Sequence, residues 1–169
     1  MSADNASTQN SQQPPVTSHG TAIELNGKGI LLRGSSGSGK SSIALRLLDD
    51  CLLNNTTGFL VADDRFYLEQ EKGALYVSGP ENLRGLIEIR GLGIVPMAYR
   101  KVAKLDLVVD LVPDDAFERH PEEGSHTINL QGVSLARIHI VERNPDAAAI
   151  IRMFFHTQAT SDYVQHVEI

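Results

Sequence analysis

Short apolar runs, each closed by glycine or by polar residues, mark the first part of this chain. Thr21-Ala22-Ile23-Glu24-Leu25 and Gly29-Ile30-Leu31-Leu32-Arg33 predict two strands joined at Asn26-Gly27, a pair suited to the positive φ angles of a tight hairpin turn. The period then changes to that of a helix. Ile43, Ala44, Leu47, Leu48, Cys51 and Leu52 recur on one side, and Arg46, Asp49 and Asp50 on the other, so an amphipathic helix is expected to end near Asn54-Asn55. Phe59 to Ala62 predicts a strand closed by Asp63-Asp64, and Phe66 to Leu68 with Ala74 to Val77 predicts a hairpin. Ser78-Gly-Pro-Glu81 predicts a capped helix through Leu86, because a Ser with Glu three positions on can satisfy two free backbone donors. Leu105 to Val112 reads as a buried strand, Pro113 to Gly124 as an acidic loop, and Ile128 to Leu130 and Leu135 to Val141 as further strands. Asn144-Pro145-Asp146 is a helix start, for a helix reaching about His156.

Strands and helices in this order give an α/β fold with a mixed β-sheet. The first eighteen residues are rich in Ser, Gln, Asn and Pro and offer almost nothing to bury, which predicts a flexible tail (1–18) before a single domain (19–169). With 169 residues the chain can bury one core, and with no Trp that core rests on Leu, Ile, Val and Ala. The net charge of -6 argues against nucleic acid or anionic lipid as partners. No stretch is apolar for the length of a membrane span or signal peptide, so a cytoplasmic location is expected. The single cysteine, Cys51, lies on the apolar side of the helix and reads as a buried structural thiol.

Gly34-Ser35-Ser36-Gly37-Ser38-Gly39-Lys40-Ser41 satisfies the G-x-x-x-x-G-K-[ST] pattern, with an apolar strand entering it and an amphipathic helix leaving it. Glycines let successive backbone N–H groups turn inward around a phosphate at the positive end of the helix. Lys40 is then expected to reach the β and γ oxygens and Ser41 to ligate magnesium, with Ser42 completing the nucleotide-binding segment Gly34 to Ser42. Nucleotide binding is thus expected, and a kinase is the expected class.

Phosphoryl transfer also needs an acid to hold the metal or take a proton. Asp63-Asp64 at a strand end and Asp106 with Asp110 within a strand both qualify, and the adjacent pair is the better candidate for a metal site or general base. His120, His126, His139, His156 and His166 show no metal-ligand spacing.

Three blocks of the chain resemble the bacterial HPr kinase/phosphorylase family in its catalytic domain. They are His19-Gly20, Leu60-Val-Ala-Asp-Asp-Arg65, and Leu86-Ile-Glu-Ile-Arg-Gly-Leu-Gly-Ile94, the last close to the family signature and carrying Ile87, Glu88, Ile89, Arg90, Gly91, Leu92 and Gly93. With Lys104 to Val109 the similarity covers about residues 18 to 112. It implies a P-loop core related to that of phosphoenolpyruvate carboxykinase. It also implies an ATP- and magnesium-dependent kinase that phosphorylates a serine of HPr, a carrier of the sugar phosphotransferase system, and reverses this with inorganic phosphate.

Carried over, the resemblance makes Asp63 the base, with Asp64 assisting, Glu88 a magnesium ligand beside Ser41, and His19 an active-site histidine. It extends to a homo-oligomer, a hexamer in that family. Two positions depart from the family. Ser35 stands where an Asp usually follows the first glycine, and of the downstream arginine segment only Gly132-Val-Ser-Leu-Ala-Arg137 is present. Arg137 is therefore the expected charge-neutralising arginine. A P-loop kinase for a small metabolite and a non-catalytic nucleotide sensor are the alternative readings.

Overall fold

A computed structural model describes residues 17–117 and 126–164. The predicted tail up to residue 16, part of the acidic loop, His120 and His166 lie outside the described residues.

The first elements are β1 (Thr17–His19), β2 (Thr21–Leu25), β3 (Lys28–Arg33) and α1 (Lys40–Leu53). Next come β4 (Gly58–Ala62), β5 (Arg65–Glu71), β6 (Ala74–Ser78), β7 (Leu86–Ile89) and β8 (Gly93–Pro96). The chain then forms β9 (Val102–Val112), β10 (Thr127–Leu130), β11 (Val133–Val141) and α2 (Ala147–Val164). One mixed sheet runs in the order β1-β5-β6-β9-β3-β2-β4, with β11 alongside β9 and β10 alongside β11, while β7 and β8 form a separate hairpin.

Strand direction places the site. β3 is antiparallel to β2, and β2 is antiparallel to β4, so β3 and β4 point the same way. β9 runs parallel to β3 and β11 parallel to β9. The loops that leave β3, β4, β9 and β11 are therefore gathered at one end of the sheet, the end at which open α/β sheets bind ligands.

Side-chain alternation sorts the core into two layers. Ile30 and Leu32 of β3 with Leu107, Val109 and Leu111 of β9 face α1 and α2, where Ala44, Leu47, Leu48 and Ile151 complete a buried layer. Leu31 and Val108 point the opposite way and pack with Phe66, Leu75 and Val77 of the β5–β6 hairpin. Cys51 is buried in the first layer, as its position in the apolar pattern predicts.

Gly29 is required by the closeness of β3 and β9. A methyl group on it would lie 2.0 Å from the Lys104 carbonyl oxygen, while its N–H donates to Asp106 Oδ2 at 3.0 Å, beside a register shift between the strands. Asp106 is thus a bulge-capping residue. Gly29→Ala should force the strands apart and lower the melting temperature by about 2–12 °C, the effect of an overpacking cost of about 1–3 kcal/mol. Thermal unfolding followed by circular dichroism measures this.

Three local expectations need correction. Thr17 and Ser18, assigned to the tail, pair with Tyr67 and Phe66 as an edge strand, so these two residues belong to the sheet. The helix predicted from Ser78 to Leu86 is only a 3-10 turn at Glu81–Leu83 without a side-chain cap. Gly85 at φ 70° redirects the chain there and Leu86 already belongs to β7. The final helix runs further than expected, Ala147–Val164, since no Gly or Pro interrupts residues 147–164, while at its start Asn144 Oδ1 accepts the Asp146 N–H, the bond expected of the capping Asn.

Candidate active site

The loop from Gly34 to Gly39 leaves β3 and enters α1 through Gly39, whose φ of 107° lies in the left-handed region. Gly37 at φ 79° is a second such position. Side chains at these points would strain the turn that faces the backbone N–H groups toward an anion. Gly34 is also pressed against β9: a methyl group on it would lie 2.8 Å from the Leu111 carbonyl oxygen. Lys40 Nζ lies across the loop, donating to the Gly34 and Ser35 carbonyls at 3.0 and 2.7 Å, where it can exchange those neutral acceptors for phosphate oxygens.

Asp63 binds the parts together. Its Oδ1 accepts from Ser41 Oγ at 2.9 Å and from Thr21 Oγ1 at 2.7 Å, and its Oδ2 accepts the Glu88 N–H at 3.3 Å. One carboxylate at the end of β4 thus touches the phosphate loop, β2 and the β7–β8 hairpin. Asp64, with φ 70°, turns away and lies 3.4 Å from His19 Nδ1, both side chains being largely exposed. A large open cavity of roughly 1110 Å³ is lined by His19, Lys40, Ser41, Asp63, Glu88 and Arg143 among others.

Ser41 hydroxyl and Glu88 carboxylate, both at the cavity, are hard oxygen ligands, and magnesium takes few protein ligands, completing its shell with water and phosphate. The set fits magnesium, with no cluster of three or more His, Cys, Asp or Glu suited to a metal among the described residues.

Of the predicted residues, the structure brings together His19, Lys40, Ser41, Ser42, Asp63, Asp64, Glu88, Ile87, Ile89 and Arg90 around the cavity. Within the hairpin Ile87 is an internal residue that anchors it to the core, whereas Leu92 is exposed near its tip. Ser35 and Ser38 belong to the loop but not to the cavity wall. Ser38 is buried, and Ser35 Oγ donates to Glu142 Oε1 at 2.5 Å, so a carboxylate from the end of β11 stands beside the position where the resemblance indicated one had been lost.

Arg137 is not at the cavity. Its Nε donates to Asp110 Oδ2 at 2.6 Å, and Arg33 donates to the same carboxylate through Nε and Nη2 at 2.7 and 2.8 Å. β3, β9 and β11 are clamped by this triad on the sheet face away from α1. Burial works against the charged form of Asp110, but Arg33 and then Arg137 outweigh it and hold the carboxyl below the ordinary carboxylate range. The arginine that does reach the loop is Arg143, just beyond β11: its N–H donates to the Ser38 carbonyl at 3.0 Å and its Nε to the Gly37 carbonyl at 3.2 Å. No local motif surrounds Arg143. Its one signal is position, directly after a strand parallel to β3.

A glycine loop between β3 and α1, with an aspartate at the end of a co-directed strand against the loop serine, defines a P-loop nucleotide-binding α/β protein. The family model for the HPr Serine kinase C-terminal domain matches residues 11–163, and the chain belongs to that family. Relatives named HPr kinase/phosphorylase from Burkholderia lata and Burkholderia cenocepacia are 37% and 36% identical to it over 138 residues, covering 75% of this chain. The chain spans 40% of the length of those relatives. The structure of the Hpr(Ser) kinase/phosphatase from Coxiella burnetii has the same fold, with a TM-score of 0.70 at 23% identity, covering 88% of this chain and 99% of that one.

Proposed function

We propose that this chain is a magnesium- and ATP-dependent kinase that phosphorylates a serine of an HPr-like phosphocarrier protein and so takes part in regulation through the phosphotransferase system. Family membership and the contacts of Asp63 support this reading; the bonds from Ser41 and from the Glu88 N–H to that one carboxylate carry it. The loop N–H groups and Lys40 orient the triphosphate. The acceptor hydroxyl oxygen attacks the γ-phosphorus, the bond to the β-γ bridging oxygen breaks, and ADP leaves. Asp63 takes the hydroxyl proton, with Asp64 and His19 beside it. Ser41 and Glu88 would hold magnesium, which would supply neutralisation of the charge that builds on the phosphate oxygens. In the reverse direction Asp63 returns the proton to the serine as inorganic phosphate takes the phosphoryl group and pyrophosphate is released.

The proposed location is the cytoplasm, where HPr-like carriers work, and none of the described helices is long and apolar enough to cross a membrane. A homo-oligomer, the family hexamer, is part of the proposal. Neither nucleic acid nor membrane is a partner in it.

The test is transfer from labelled ATP, with magnesium, to an HPr-like protein of the same organism. Label should appear on one serine of the partner, and Lys40→Ala should lower the rate at least about 100-fold by removing the charge that holds the triphosphate. ATP binding without transfer to such a partner would sink the reading in favour of a nucleotide sensor, and label in a small molecule would indicate a metabolite kinase.

A further inference from the structure

Two guanidinium groups converge on the tip of the phosphate loop. A methyl group placed on Gly37 would lie 3.5 Å from Nη2 of Arg90 and 3.8 Å from Nη2 of Arg143, so both face one point from opposite elements, the β7–β8 hairpin and the turn after β11. Arg33, Arg84, Arg100, Arg137 and Arg152 each pair with a carboxylate, whereas neither Arg90 nor Arg143 makes an ion pair among the described residues. Like charges so placed repel each other, and an anion between them removes the penalty.

The backbone is also committed to this arrangement. Arg143 has a φ of 59°, uncommon for a residue with a side chain, and this conformation puts its N–H on the Ser38 carbonyl. Its guanidinium would give up only the neutral Gly37 carbonyl to take a charged oxygen. The cavity brings Asp63, Asp64 and Glu88 together with Lys40, Arg46, Arg90 and Arg143, charges of both signs as needed to hold a cation and a polyanion.

We propose that Arg143, opposed by Arg90, binds the terminal phosphoryl groups of the nucleotide, the role that the family resemblance gave to Arg137. This rests on the nucleotide-binding part of the proposed function but not on the identity of the acceptor. Gly37 lies at the turn of the loop before the helix, and its φ of 79° is a conformation glycine adopts without strain. Arg137 acts on the fold instead, through Asp110.

Equilibrium binding of MgATP and MgADP to the full chain tests this, with melting temperature measured on the same samples. Arg143→Gln should weaken ATP about 10- to 100-fold and ADP distinctly less, the loss of charged hydrogen bonds to the terminal group. Its melting temperature should stay close to wild type, and Arg143→Lys should recover part of the ATP preference. Arg137→Gln should lower the melting temperature and leave the ratio of ATP to ADP affinity unchanged. Equal loss for both nucleotides in Arg143→Gln, no loss for either, or a changed ratio in Arg137→Gln instead would overturn the assignment. Wild-type protein that binds no MgATP would remove both this inference and the kinase reading. A changed ratio in a protein that phosphorylates no HPr-like partner would leave the inference standing and remove that acceptor.

Discussion

Asp63→Asn should reduce phosphoryl transfer to the acceptor serine by about 10²- to 10⁴-fold, the contribution of a positioned general base, while the affinity for ATP changes far less. The amide keeps the size of the carboxylate and an oxygen that can accept from Ser41 and Thr21, so the loop contact can survive. It cannot take a proton from the acceptor. Its NH2 group would also face the Glu88 N–H, donor against donor, which loosens the hairpin as well as removing the base. Asp64→Asn should cost less, because Asp64 is exposed and its only described side-chain partner is His19 at 3.4 Å. Initial rates at saturating ATP, set beside measured ATP binding, separate the two effects. A rate for Asp63→Asn within tenfold of wild type would remove Asp63 as the base.

Asp110→Ala should be the most destabilising single change among the charged residues. It removes the acceptor of both Arg33 and Arg137 and leaves two partly buried guanidinium groups facing each other without an anion. Breaking a buried pair costs about 3–5 kcal/mol, equivalent to a fall of about 6–20 °C in melting temperature for a chain of this size. The same carboxylate makes stability depend on pH. Its pKa is lowered in the folded protein from an ordinary value of 3.8, so its contribution is fully present above that value and is lost as pH falls through the depressed one. Acid unfolding of wild type should therefore steepen below about pH 4, and the variant should lack that component. A melting temperature for Asp110→Ala within 2 °C of wild type would show that the arginines need no common acceptor.

Much of the site is written in short segments of sequence. The glycine pattern at Gly34 to Ser41 is legible because its chemistry is that of consecutive backbone N–H groups, and the strand before it and the helix after it are set by local periodicity. The β7–β8 block stands out for the same reason, since Glu88, Arg90 and the glycines at 91 and 93 are close neighbours in the chain. The edge strand at Thr17 and Ser18 is not legible. Both residues are polar, and they are strand only because β5 supplies their hydrogen-bond partners.

The two aspartate pairs show the same limit. Asp63-Asp64 at a strand end is the better candidate by sequence and Asp106 with Asp110 within a strand the weaker one, but what each carboxylate touches depends on the order of strands. Asp63 falls beside Ser41, Asp106 caps a bulge and Asp110 receives two arginines. Local sequence determined the phosphate loop, its flanking elements and the membership of the hairpin in the site, because each depends on residues a few positions apart. Which arginine reaches the phosphate loop was decided by tertiary structure alone. Arg137 lies within β11, where side-chain alternation turns it to the sheet face that carries Asp110. Arg143 lies past the end of that strand, and the parallel run of β3, β9 and β11 carries it back to Gly37.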